Sequence, residues 1–130
     1  MLLSRALDWH GSRYPMSGVL DFNVEVCDKP QGHGYAELLV DRENPFFPKG
    51  SRLRGHEFHY SRLALDALPE AANTACAVGR GVGLAHGRDA LLHRNVWASY
   101  THLHASATPQ WVAGFMAAAR RFHRQDDPQL

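Results

Sequence analysis

The chain has 130 residues with 14 basic and 13 acidic side chains, a formal charge of +1, and this length supports one hydrophobic core and no second one. Neither sign of charge forms a run, so the concentrated basic face that a nucleic-acid partner requires is missing. No apolar stretch approaches the roughly 20 residues of a membrane span, and the opening Met-Leu-Leu-Ser-Arg-Ala lacks the basic lead and long apolar region of a signal peptide; a cytoplasmic protein is expected.

Leu2, Leu3, Ala6, Leu7 and Trp9 fall near helical spacing with Gly11 where a helix would stop, which predicts a short N-terminal helix. An apolar helix at the first residue is an abrupt start for a globular domain, so an excised fragment is expected. Gly18 to Val26 reads as a first strand and Lys29-Pro30-Gln31-Gly32 as a turn. Gly34 to Val40 follows as a second strand, with Ala36, Leu38 and Val40 on one face and Tyr35, Glu37 and Leu39 on the other. Asn44 to Gly50 is a turn whose two aromatics, Phe46 and Phe47, are expected to plug the core beneath it. Arg52 to Leu63 is predicted as a third strand and Ala71 to Val78 as a fourth. The run Gly79-Arg80-Gly81-Val82-Gly83 lacks the Lys-Ser/Thr of a phosphate-binding loop and has no helix after it, so it reads as a hairpin or bulge.

Asn95 to His104 is predicted as a fifth strand. Thr108 and Pro109 suit the start of a closing helix over about 109–124. Its stripe of Trp111, Val112, Phe115, Met116, Ala119 and Phe122 reads as core packing, and Arg120, Arg121 and Arg124 suit its C-terminal end. Residues 125–130 are expected to form a disordered tail.

Cys27 and Cys76 are too few for a disulfide framework and have no metal-site spacing. Neither stands at a helix start or among basic residues that would stabilise a thiolate, so both read as ordinary thiols in a reducing compartment. The chemistry is expected in the histidines. Residues 54–62 (Arg-Gly-His-Glu-Phe-His-Tyr-Ser-Arg) and 98–104 (Ala-Ser-Tyr-Thr-His-Leu-His) hold four of the nine, and imidazole both exchanges protons near neutral pH and ligates metals. On a strand His102 and His104 leave the same face beside Tyr100, while Glu57 and His59 share a face opposite His56 and Phe58. Such groups fit one catalytic imidazole with polar neighbours. They equally fit a metal clasp completed by Glu57 or His59, or half-buried histidines in a non-catalytic interaction module.

These two stretches, with Ser12-Arg13-Tyr14-Pro15-Met16 and Pro30-Gln31-Gly32-His33-Gly34-Tyr35 before them in order, resemble the C-terminal part of the cobyrinic acid a,c-diamide synthase family and its siroheme-amidating relatives, from residue 1 to about residue 122. The resemblance implies an α/β fold, a layered sandwich of the class I glutamine amidotransferase type, N-terminally truncated, with residues 1–124 forming the C-terminal part of that domain. It implies a ligase that takes ammonia from glutamine and amidates acetate side chains of a cobyrinate- or siroheme-type tetrapyrrole, with ATP and magnesium held in an N-terminal domain. By the family's pattern His102 resembles the base that activates a cysteine nucleophile. That cysteine lies in a Cys-Gly-Gly-Leu elbow just before a segment resembling residues 1–5, so the fragment alone is expected to be inactive. Many class I enzymes show His-x-Glu, whereas this chain has His104 two residues after His102. Glu57 is then the nearby candidate to orient the imidazole, and Tyr60 and Ser61 the candidates for the glutamine pocket. A truncated sheet with a bare edge is also expected to self-associate.

Overall fold

The computed structural model describes residues 1–64 and 73–126. Among the described residues nine strands form two sheets, and one helix follows them. The first sheet has the order β2-β1-β3-β6, built from β1 (Ser4–Trp9), β2 (Ser12–Pro15), β3 (Leu20–Val26) and β6 (Ser61–Leu63). The second has the order β5-β4-β7-β8-β9, built from β4 (Gly32–Val40), β5 (Arg52–His59), β7 (Thr74–Arg80), β8 (Arg88–His93) and β9 (Val96–Ala98). β1 and β3 run parallel, and the other paired strands run antiparallel. The helix α1 spans Pro109–Asp126. This is a mixed α/β chain, as expected.

The second sheet follows the sequence pattern most closely. In β4 Ala36, Leu38 and Val40 are buried and Tyr35, Glu37 and Leu39 exposed, the alternation that a pleated strand imposes when one face meets the core. β5 alternates likewise, with Leu53, Glu57 and His59 buried. Phe47 is buried in the cluster formed by Leu38, Val40, Leu53, Ala75, Cys76, Ala90 and Leu92, and both Phe46 and Phe47 meet Trp97, so the Asn44–Gly50 turn carries the expected plug. Cys76 lies fully inside this cluster, where burial pushes its thiol up to about 12; it is an inert core group.

Four expectations are corrected. Residues 4–9 form β1, not a helix, because pairing with β3 and β2 buries Ser4 and Ala6 on alternate positions; spacing alone left the two periods unresolved over so short a run. The predicted strand 52–63 breaks at Tyr60, and the chain there leaves the second sheet to join the first as β6. The fifth strand shrinks to β9, and β8 lies before it unforeseen. Its consecutive Leu91 and Leu92 enter different core clusters, so β8 is buried on both faces and shows no alternation to read. Finally, α1 does not pack its stripe into the core. Trp111, Val112, Phe115, Met116 and Phe122 are between 43% and 52% exposed. The helix meets the rest of the chain at the 44–48 loop, where Gly114 lies too close to the Phe46 carbonyl to admit a Cβ, and Arg121 donates to the Pro45 carbonyl at 2.6 Å. α1 also continues to Asp126, two residues beyond the expected tail boundary; residues 127–130 and the first two residues of the predicted fourth strand lie outside the described residues.

One buried charge organises the turn after β9. Asp89 on β8 is fully buried and accepts hydrogen bonds from the N–H groups of Ala90 (2.8 Å), Tyr100 (3.1 Å) and Thr101 (3.0 Å) and from the Ser99 hydroxyl (2.9 Å). An ionised carboxylate is tolerated in such a place only when donors replace its water. We expect Asp89→Ala to cost about 3 kcal/mol or more, since it removes the acceptor of the Ala90 and Tyr100 N–H groups and leaves Thr101 N–H only the Ser99 hydroxyl. Urea unfolding of the two chains measures it, and a loss below about 1 kcal/mol would show that residues 99–101 are held by something else.

Candidate functional site

The outward faces of β4 and β5 form the floor of an open groove of about 850 Å³. Pairing across the two strands sets its layout: His33 stands opposite Phe58, Tyr35 opposite His56, and Glu37 opposite Arg54. The first pair meets edge to face at 5.6 Å between ring centroids, the last forms an ion pair at 3.6 Å, and Arg80 of β7 lies 5.9 Å from the Tyr35 ring. His102, His104 and Ala107 complete the wall. Because strand residues alternate, the same pleat that buries Leu53 and Glu57 turns Arg54, His56 and Phe58 to solvent.

His102 reaches this groove by pairing with the free edge of β5. His102 N–H donates to the His56 carbonyl at 2.8 Å, and His56 N–H donates back to the His102 carbonyl at 3.2 Å. The His102 ring folds over the same residue, with Nδ1 3.1 Å from the His56 carbonyl oxygen and the two imidazole centroids 5.1 Å apart. A carbonyl oxygen only accepts, so this bond requires the proton on Nδ1 and leaves Nε2 with its lone pair. His104 has the opposite arrangement. Ser106 N–H donates to its Nδ1 at 3.3 Å, and the Ser106 hydroxyl lies 2.7 Å from the same nitrogen, which places the neutral ring's proton on Nε2. Of the two, His102 is the ring whose outer nitrogen can accept a proton.

The other expected site residues lie elsewhere. Glu57 does not orient His102: its buried carboxylate accepts from the N–H groups of Val82 (2.9 Å) and Gly83 (2.8 Å) and, at 3.4 Å, from the Thr101 hydroxyl. The Gly81–Gly83 bend, itself in left-handed backbone at Gly81 and Gly83, presents the N–H donors that claim this carboxylate, and no side-chain pattern announces them. His59 is buried, with Nδ1 donating to the Ser61 carbonyl at 2.8 Å, its ring stacked on Tyr100 at 4.0 Å, and Nε2 resting against Gly32 without a partner. Tyr100 therefore turns inward instead of standing beside His102; its hydroxyl meets Ser61 Oγ at 3.0 Å, and burial pushes its phenol up. Ser61 is buried, and Tyr60 stands outside the groove lining against the edge of Phe58, 5.9 Å away. The expected cluster thus divides into an inner structural set and an outer pair, His102 and His104. Sequence reasoning missed His56, whose carbonyl does the holding, and Asp89, whose place before Ala90, Leu91 and Leu92 is the available signal, since an acid buried there must find donors.

Among the described residues no three His, Cys, Asp or Glu side chains converge as a metal site would need, and Glu57 and His59 are committed inward. Neither cysteine lines the groove, and among the described residues no helix is long and apolar enough to cross a membrane.

The chain is similar to known proteins over most of its length. Over 125 residues the chain is 37% identical to a cobyrinate a,c-diamide synthase of Magnetococcus marinus, covering 96% of this chain and 26% of that protein. It is 34% identical over 126 residues to the cobyrinate a,c-diamide synthase of Caldanaerobacter subterraneus, covering 96% and 27%, and 38% identical over 111 residues to that of Methanosarcina barkeri, covering 85% and 22%. The chain therefore spans about a quarter of the length of these relatives. A family model, the CobB/CobQ-like glutamine amidotransferase domain, matches residues 1–110, which takes in both sheets, the groove and His102. By the extent of that match, the chain belongs to the CobB/CobQ-like glutamine amidotransferase family.

Proposed function

We propose that these residues supply the histidine side of a glutaminase site in an ATP- and glutamine-dependent carbon–nitrogen ligase that amidates acetate side chains of a cobyrinate- or siroheme-type tetrapyrrole. The observation that carries the reading is His102: an exposed imidazole in a groove, its Nδ1 committed to a main-chain carbonyl and its Nε2 without a hydrogen-bond partner among the described residues. In this reading His102 Nε2 takes the proton from a cysteine thiol, and the thiolate attacks the side-chain amide carbon of glutamine. The imidazolium returns that proton to the departing nitrogen, so ammonia leaves and a thioester remains. Water, deprotonated by the same nitrogen, then cleaves the thioester to glutamate and regenerates the thiol. Cys76 is sealed in the core and Cys27 lies outside the groove, so the thiol comes from beyond these residues.

ATP and magnesium belong, in this proposal, to another part of a longer polypeptide, where the carboxylate that receives the ammonia is activated. A cytoplasmic setting is part of the same reading, since two unpaired thiols suit a reducing compartment.

The isolated chain is expected to show no glutaminase turnover above background. Joined to a segment that supplies the nucleophilic cysteine, it should lose 10²- to 10⁴-fold in kcat/KM on His102→Ala, the usual worth of a general base, and much less on His104→Ala. Turnover by the isolated chain that survives His102→Ala would contradict the assignment.

We also propose that the isolated chain self-associates through the bare stripe of α1, since exposed apolar patches of this kind mark contact surfaces. Light scattering should report a mass above that of one chain, falling to the monomer on Phe115→Glu. A monomer at all concentrations would refute it.

A further inference from the structure

Gly55 precedes His56 on β5 with ordinary extended backbone, so its glycine character is not a matter of φ. Space is the constraint. A Cβ at residue 55 would overlap the His102 carbonyl oxygen and come within 2.8 Å of Thr101 Cγ2 and 3.1 Å of the His102 carbonyl carbon. The 101–102 segment therefore lies directly on the Gly55 backbone. It has little freedom to retreat, because Thr101 is buried and its N–H is tied to Asp89 at 3.0 Å.

This contact brings one oxygen against two donors of one residue. The His56 carbonyl accepts from His102 N–H at 2.8 Å and from His102 Nδ1 at 3.1 Å, filling both of its lone pairs. An unrestrained imidazole in water favours the proton on Nε2, so a ring that holds it on Nδ1 needs a fixed acceptor. We propose that the His56 main-chain carbonyl, brought within reach by the bare Cα of Gly55, is the positioning group that fixes His102 as its Nδ1–H tautomer, in place of a carboxylate. A neutral dipole orients the ring and selects the tautomer without placing a second negative charge beside the thiolate that His102 is to generate. Main-chain atoms cannot be recognised as a third triad member by residue type, which accounts for a dyad in which no carboxylate side chain among the described residues bonds His102.

The catalytic consequence rests on the glutaminase reading, but the tautomer does not. Long-range ¹H–¹⁵N correlation spectra of the full chain, recorded at a pH where His102 is neutral, should show a protonated Nδ1 and a bare Nε2 at His102 and the reverse at His104. In Gly55→Ala the His102 signals should move toward the Nε2–H pattern while those of His104 stay. If that variant does not fold, the wild-type spectrum decides alone: a His102 ring protonated on Nε2 overturns the proposal. In the enzyme supplied with its cysteine, Gly55→Ala should lower kcat on the order of 100-fold, as small misplacements of a catalytic group do, with the KM for glutamine little changed. An Nδ1–H ring in an enzyme indifferent to His102→Ala would sink the glutaminase reading and leave the positioning role standing. An Nε2–H ring in an enzyme that needs His102 would do the converse.

Discussion

The pairing of residue 102 with the edge of β5 is the constraint on which the site depends, and two buried carboxylates, Asp89 and Glu57, hold the segment that makes it. Asp89, fully buried, gathers the Ser99 hydroxyl and the N–H groups of Tyr100 and Thr101. Glu57 gathers the N–H groups of Val82 and Gly83 and reaches the Thr101 hydroxyl. Between them they give the irregular segment after β9 a fixed course, and the reciprocal His56 and His102 hydrogen bonds finish it. A loop that carries a proton-transfer group gains precision when a rigid element braces it; here the brace is an edge strand whose inner face is fastened into the core by Leu53.

Much of this was legible in the residues. The alternation of β4 and β5 is strict, so the division between core and groove could be read directly, and Pro109 with the apolar repeat behind it marked α1. The N-terminal strand and β8 were not legible, for different reasons. β1 owes its form to a parallel partner more than ten residues away, and no local pattern encodes that. β8 is enclosed by two clusters and so has no polar face to give it a period. In α1 the period was right and the environment wrong, since periodicity tells which residues share a face and nothing of what covers it.

The site was half legible. His102 stood out because two histidine clusters and a family pattern converge on it. Its orienter did not, because a main-chain carbonyl carries no signature of residue type as a carboxylate side chain does. Glu57 was drawn into the role by its neighbourhood in sequence, yet strand geometry sends it to the face opposite His56, where the donors of a glycine bend claim it. The stacked His59 and Tyr100 pair shows the same thing: an imidazole and a phenol drawn from the two histidine-bearing stretches are here packing and hydrogen-bonding groups.

The account stands on the direction in which one imidazole holds its proton. Neutron diffraction from deuterated crystals grown near neutral pH would locate it without recourse to activity. The account predicts a deuteron on Nδ1 of His102 aimed at the His56 carbonyl and none on the Nε2 that faces the groove. A deuteron on Nε2, or a ring turned away from that carbonyl, would contradict it.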